Sequence, residues 1–191
     1  MPKRFAMVCA SNMNRSMEAH KLLKEGNYNV SSYGVGSHVK LPGPSADAPN
    51  KYDFGTPYTE ILEDLKAKDT ALYVRNGLLK MVERNIQIKD CPQRWQDSRD
   101  VFDVVVTFDT GVFEQLVEDM ANREPTDGDS VLVINLDVKD THDEAALAAP
   151  QALKLCEMLE TSEDWECNLD DIVDRFQQQT GRRPMYTICF Y

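Results

Sequence analysis

Two side chains near the amino terminus, Cys9 and Arg15, stand six positions apart in the run Cys-Ala-Ser-Asn-Met-Asn-Arg. A thiolate is a strong nucleophile. A guanidinium presents a planar fork that can hold two phosphoryl oxygens in the ground state and the equatorial oxygens of the transition state. The segment therefore reads as a phosphate-binding loop that carries its own nucleophile, with Ala10, Ser11, Asn12, Met13, Asn14, Arg15 and Ser16 as the residues that would surround the anion.

Such a loop has to be held between a strand and a helix. Phe5, Ala6, Met7 and Val8 form an apolar run short enough for a buried strand, and it ends directly at Cys9. Downstream, Ala19, Leu22 and Leu23 recur at helical spacing. With a helix starting near Ser16, the loop N–H groups would curl around an anion at the positive end of the helix dipole. That field, with Arg15, favours Cys9 as the thiolate. Ser16 is expected to cap the helix or to donate its hydroxyl to the sulfur. Without this context Cys9 would read as a small buried hydrophobe at a strand end.

Strand-like runs recur at residues 4–9, 28–34, 101–107, 131–136 and 185–190, with helical patterns between most of them. The alternation predicts an α/β fold, a doubly wound, mainly parallel sheet flanked by helices, in which ligands bind beyond the carboxyl ends of the strands. The whole chain, 1–191, reads as one domain. Residues 38–98 are too long for a simple crossover; Leu41-Pro-Gly-Pro44 leads there into helical patterns near 58–69 and 71–86, a stretch expected to form a lid over the site. The strand Val131–Leu136 is followed by Asp137, Asp140, Asp143 and Glu144, carboxyls on the rim that should hold Cys9. From spacing alone such an acidic stretch before a helix is more often capping and solvation than a catalytic acid.

Of 191 residues, 42% are hydrophobic and 28% charged, which suits a compact domain with a real core. No apolar run approaches the roughly 18 residues of a membrane span, and no signal-peptide pattern opens the chain, so no membrane partner and a reducing intracellular compartment are expected. Five scattered cysteines fit free thiols. The formal charge of −11 argues against direct nucleic-acid binding, which needs a concentrated basic surface. An anionic substrate would be captured locally, by Arg15, Lys40 and the loop amides. No metal cluster or cofactor motif with credible spacing is present.

The run Cys9-Ala-Ser-Asn-Met-Asn-Arg-Ser-Met-Glu-Ala-His20 resembles the signature of the Ssu72 family of RNA polymerase II C-terminal-domain phosphatases. The likeness continues through Gly36-Ser-His-Val-Lys-Leu-Pro-Gly-Pro44, Tyr52-Asp-Phe54, Arg75-Asn-Gly77, Phe102-Asp103 and Cys189-Phe-Tyr191. It implies a fold like the low-molecular-weight tyrosine phosphatases with an added lid, and dephosphorylation of phosphoserine followed by proline in the polymerase tail. Asp140 matches the family's general acid, which protonates the departing serine oxygen and then activates water against a thiophosphate intermediate. Asp137 is the reserve, and His142 reads as a surface or capping residue. The resemblance also implies a groove from Lys40, Leu41 and Pro42 with Tyr73, Leu78 and Met81, seating the substrate proline in its cis form. Because cis is about 10–30% of X-Pro bonds in unfolded peptides and exchanges in tens to hundreds of seconds, a prolyl isomerase would be functionally coupled. The family further implies a symplekin-like scaffold of the 3′-end processing machinery as partner, and placement in the nucleus, with the cytoplasm left open.

Two stretches depart from the family pattern. Thr107-Phe-Asp-Thr-Gly111 stands where relatives usually carry Thr-Cys-Glu-Glu-Arg or close to it, and Pro150 falls in what is otherwise an unbroken helical pattern, predicting a kink or a later start. Two other readings remain: a binding module that keeps the phosphate nest without turnover, and an arsenate-reductase-like redox enzyme. The second would need Cys91 to approach Cys9, since position 14 is Asn and supplies no adjacent thiol.

Overall fold

A computed structural model of the chain describes residues 1–126 and 128–191. In chain order the elements are β1 (Arg4–Cys9), α1 (Arg15–Glu25), β2 (Asn29–Gly34), β3 (Val39–Leu41), β4 (Asn50–Tyr52), α2 (Tyr58–Arg75), α3 (Leu78–Ile86), β5 (Val104–Thr107), α4 (Thr110–Asn122), β6 (Ser130–Asn135), α5 (His142–Glu160), α6 (Leu169–Thr180) and β7 (Met185–Phe190). The main sheet runs β2-β1-β5-β6-β7, with every pairing parallel except the antiparallel edge strand β7.

Side-chain alternation along β1 feeds two separate cores. Phe5 and Met7 join Ala19 and Leu23 of α1, Ala148, Ala152 and Leu155 of α5, and Ile172 and Phe176 of α6 on one face. Ala6 and Val8 pack on the other with Val112 and Leu116 of α4 and with Trp95 and Phe102. The central strands β5 and β6 are buried on both faces, so their runs read as nearly continuous Val, Ile and Leu. Strand order reverses between β1 and β5, and the crevice at such a switch point opens beyond the carboxyl ends of the two strands. Cys9 and Thr107 end those strands.

Residues 38–98 form the antiparallel pair β3–β4, then α2 and α3, around an apolar cluster of their own. Val39, Leu41, Ile61, Leu65, Leu79 and Val82 are buried there, and Met13 of the loop after β1 and Met17 of α1 enter the same cluster. The helical patterns expected over 58–69 and 71–86 are found with a different division. Asp69 leaves helical geometry within α2 (φ −165°, ψ 86°), and its Oδ1 accepts from the Leu72 N–H at 3.0 Å, recapping the helix. The chain then turns at Asn76-Gly77, where Gly77 adopts φ +77°, before α3 begins.

Pro150 does not delay α5. Thr141 caps the helix by accepting from the Glu144 N–H at 3.2 Å, and the helix runs from His142 through Pro150 to Glu160. Pro150 and Ala146 lie on the exposed side, so water can serve the carbonyl that a proline leaves without a donor.

Candidate active site

Cys9 is held at the end of β1 by ordinary sheet pairing, with its register partner Gly34 closing β2 beside it. A Cβ at Gly34 would stand 2.7 Å from the Ala10 carbonyl and 2.9 Å from the Phe54 ring, so glycine is what lets the loop after Cys9 lie against β2. Asn12 then takes φ +55°, a conformation that asparagine tolerates better than most residues. Its carbonyl accepts from the Tyr58 hydroxyl at 2.7 Å, its Oδ1 accepts from the Gln93 N–H at 3.1 Å, and its Nδ2 donates to Ser16 Oγ at 3.1 Å.

The loop is gripped from the 38–98 stretch as well. The Met13 carbonyl accepts from Asn85 at 2.9 Å and from Arg84 at 2.7 Å, and Arg84 also pairs with Glu18 of α1. Ser11 Oγ accepts from the Lys40 N–H at 3.1 Å, joining β3 to the loop. Among the described residues, the backbone N–H groups of Ser11 to Arg15 donate to no acceptor in the protein, which leaves them for an anion.

Ser16 does not cap α1. The helix begins one residue earlier, at Arg15, and the Ser16 hydroxyl lies 3.0 Å from Cys9 Sγ, able to donate to a thiolate. Arg15 is nearly fully buried. Its Nη1 donates to the carbonyls of Phe108 at 3.2 Å and Val138 at 2.8 Å, and lies 3.4 Å from Asp109 Oδ2. Nε has no hydrogen-bond partner although it is buried. One edge of the guanidinium is thus committed to the protein while an orphaned donor remains for a ligand.

The departures from the family pattern at Phe108 and Asp109 fall on this support. The Phe108 ring is a core residue, and its carbonyl is what Arg15 grips; Asp109 caps α4 by accepting from the N–H groups of Gly111 and Val112. The grip uses backbone, so it survives a change of side chain at 108.

Asp140 projects from the loop between β6 and α5. Its Oδ1 accepts from Asn14 Nδ2 at 3.0 Å and lies 3.6 Å from Arg15 Nε. Among the described residues no hydrogen bond engages Oδ2. Asp137 faces elsewhere, with Oδ1 accepting from the Thr110 N–H at 3.2 Å, and it does not line the cavity.

A cavity of about 300 Å³ opens over the loop, lined by Cys9, Ser11, Met13, Asn14, Lys40, Leu41, Pro42, Leu78, Met81 and Asp140, together with Asn76, Thr141 and His142. Tyr73, read from the sequence as a groove residue, is not part of the lining. It is buried in the neighbouring cluster, where its hydroxyl accepts from Asn50 Nδ2 at 2.9 Å while the same amide donates to the Pro42 carbonyl. It braces the wall from behind because its ring belongs to the helix face that α2 buries. Cys91 is half-buried and does not line the cavity either.

Asn76, Thr141 and His142 are wall residues that spacing did not single out. A signal was present for two of them: Asn-Gly at 76–77 is a turn dipeptide, and Thr141 with Glu144 has the spacing of a capping box. Neither pattern says what the turn will face. Among the described residues no group of three or more His, Cys, Asp or Glu is placed to hold a metal, and no helix is long and apolar enough to cross a membrane.

The Ssu72-like protein family matches residues 3–191 of this chain. The RNA polymerase II C-terminal domain phosphatase SSU72 of Gallus gallus is 46% identical over 190 residues, which span 100% of this chain and 98% of the relative. The protein of that name from Homo sapiens is 45% identical over the same shares, and that from Dictyostelium discoideum 48% identical over 193 residues, 99% of this chain and 90% of the relative. A crystal structure of Drosophila melanogaster Ssu72 with symplekin and a cis peptidomimetic phosphoserine peptide of the polymerase C-terminal domain has a TM-score of 0.95 at 40% identity, covering 99% of this chain and 98% of the other.

Proposed function

The chain belongs to the Ssu72 family, and from that membership we propose that it is a cysteine-dependent phosphatase for phosphoserine followed by a cis proline in the C-terminal domain of RNA polymerase II. The observation that carries this reading is the meeting of Asp140 with Asn14 and Arg15, more than 120 positions away in the chain, beside the cavity that Cys9, Asn14 and Asp140 line.

In the reaction we assign, the Cys9 thiolate attacks phosphorus as the bond from phosphorus to the serine oxygen breaks. Loop N–H groups and the free edge of Arg15 hold the equatorial oxygens. Asn14 and Arg15 both address Oδ1 of Asp140, so Oδ2 is the atom that carries the proton to the serine oxygen. The resulting carboxylate then takes a proton from water as it attacks the thiophosphate, releasing phosphate and the Cys9 thiolate, which the Ser16 hydroxyl stabilises as it leaves.

Residues 38–98 act as the lid and substrate groove of a single domain. Lys40, on the cavity lining, offers a charge for the phosphopeptide, while Leu41, Pro42, Leu78 and Met81 give it an apolar wall suited to a proline ring. A relative of this chain has been seen with symplekin and a cis peptidomimetic phosphoserine peptide, which supports a scaffold of that kind as partner. From the polymerase substrate we infer a nuclear site of action, and from the slow exchange of cis proline a functional coupling to a prolyl isomerase.

Phosphate release from polymerase-tail peptides phosphorylated at single serines, with and without a prolyl isomerase, tests the reading. Release that requires Cys9 and is accelerated by the isomerase supports it. Turnover of aryl phosphates alone would mean that the lid serves another substrate.

A further inference from the structure

His142 is exposed at the first position of α5, two residues beyond Asp140, and the mechanism above gives it no task. Yet its ring is not directed to solvent alone. Nε2 lies 2.9 Å from the carbonyl oxygen of Asn76, and since a carbonyl can only accept, Nε2 carries the hydrogen. The neutral ring in this tautomer and the protonated ring both donate here, so the contact does not depend on the charge of the imidazole.

The acceptor sits in the turn between the two lid helices. Asn76 Oδ1 accepts from the Leu78 N–H at 3.0 Å, fixing the start of α3, and the following Gly77 presents no Cβ to the imidazole. A Cβ there would stand 3.2 Å from Nε2. Leu78 and Met81 of α3 line the same cavity as Asp140 and Thr141, and Asn76 and His142, which also line it, join the two segments. On the other side, Asn14 donates to Asp140 Oδ1 and to the Thr141 carbonyl. The segment Asp140-Thr-His142 is therefore pinned at one end to the phosphate loop and at the other to the lid.

We propose that His142 is a positioning residue for the phosphatase reaction, a latch from Nε2 to the Asn76 carbonyl that makes the seating of the lid and the setting of the Asp140 carboxyl one movement. This rests on the assignment of Asp140 as the acid. A peptide that seats against Leu78 and Met81 draws the turn at Asn76 into place, and the latch carries that placement to Asp140. Small, highly activated substrates neither reach the lid wall nor need the proton.

The test compares kcat for a seryl phosphopeptide with kcat for p-nitrophenyl phosphate, whose leaving group departs without protonation, in His142→Ala, His142→Gln and Asp140→Asn. For His142→Ala we expect kcat on the phosphopeptide to fall about tenfold, and on p-nitrophenyl phosphate less than about threefold. His142→Gln, which can place an amide donor near the Nε2 position, should recover most of the loss. Adding His142→Ala to Asp140→Asn should cost nothing further. Equal losses on both substrates, no loss, or a change confined to KM overturns the latch while leaving the acid assignment standing, provided that Asp140→Asn discriminates between the substrates. If Asp140→Asn does not discriminate, the acid assignment falls and the latch with it.

Discussion

Asn14 Nδ2 donates to Asp140 Oδ1 at 3.0 Å, joining residues 126 positions apart in the chain. The same amide donates to the Thr141 carbonyl at 3.2 Å, while its own Oδ1 is buried with no partner. The hydrogen bonds of its side chain are thus directed at the loop that carries Asp140. Asn14→Asp would replace a donor with a charge facing Asp140, so kcat on a seryl phosphopeptide should fall by about ten- to a hundredfold, with a smaller fall on p-nitrophenyl phosphate. Steady-state kinetics on both substrates checks this, and an equal fall on both would deny Asn14 a role through Asp140.

Cys9 and Arg15 should separate chemistry from binding. Cys9→Ser is expected to reduce turnover by at least about a thousandfold while inorganic phosphate still binds, because the loop amides and Arg15 remain. Arg15→Ala should lose both, and its removal strips the Phe108 and Val138 carbonyls of a buried donor, costing about 1–3 kcal/mol of stability as well. Calorimetric titration with phosphate, paired with thermal melts, would show the difference; phosphate binding that survives in Arg15→Ala contradicts the assignment.

His20 should make stability fall on the acid side of neutrality. Burial, and then the charges of Lys89 and Lys24, hold its pKa down to about 4 from an ordinary 6.5, while Nδ1 pairs with Ser32 Oγ at 2.8 Å. Between those two values the unfolded chain binds a proton that the folded chain refuses, so the contribution is fully present above pH 6.5 and is lost as the pH falls toward 4. The loss from this group between pH 7 and 4.5 is about 2–3 kcal/mol. Urea unfolding at several pH values should show a steeper acid decline for the native protein than for His20→Gln, and parallel curves would refute it.

Tyr73 is a brace and not a wall, and its removal should reflect that. Tyr73→Phe leaves Asn50 Nδ2 with the Pro42 carbonyl alone, a loss of about 1 kcal/mol that lowers Tm by about 2–4 °C. The KM for a phosphopeptide should change less than about twofold, whereas Met81→Ala, on the cavity wall, should raise it several-fold. A larger KM effect from Tyr73→Phe than from Met81→Ala would put the phenol in contact with substrate.

Much of the molecule was legible from local pattern. The five strands of the main sheet follow from short runs of apolar residues with turn residues between them, and the candidate loop follows from Cys9 and Arg15 placed where a strand gives way to a helix. These features depend on neighbours in the chain, as strand and helix periods do. Even the start of α5 was encoded locally, in Thr141 and Glu144, although Pro150 obscured it.

Other decisions needed contacts between distant segments. Spacing left Asp140 as one carboxyl among several; packing of α5 on α1 and the Asn14 contact bring its side chain to the cavity, whereas Asp137 turns to Thr110. The side of α2 that carries Tyr73 could equally have lined a groove or filled a core, because an apolar stripe records only that it is buried, not against what. Tertiary packing buried it, and packing also turned the exposed His142 toward the Asn76 carbonyl. The sequence by itself determined which residues could perform the chemistry and on which kinds of element they stand. Which of them meet, and at what distance, was decided only when the switch between β1 and β5 opened a crevice and the 38–98 segment closed over it.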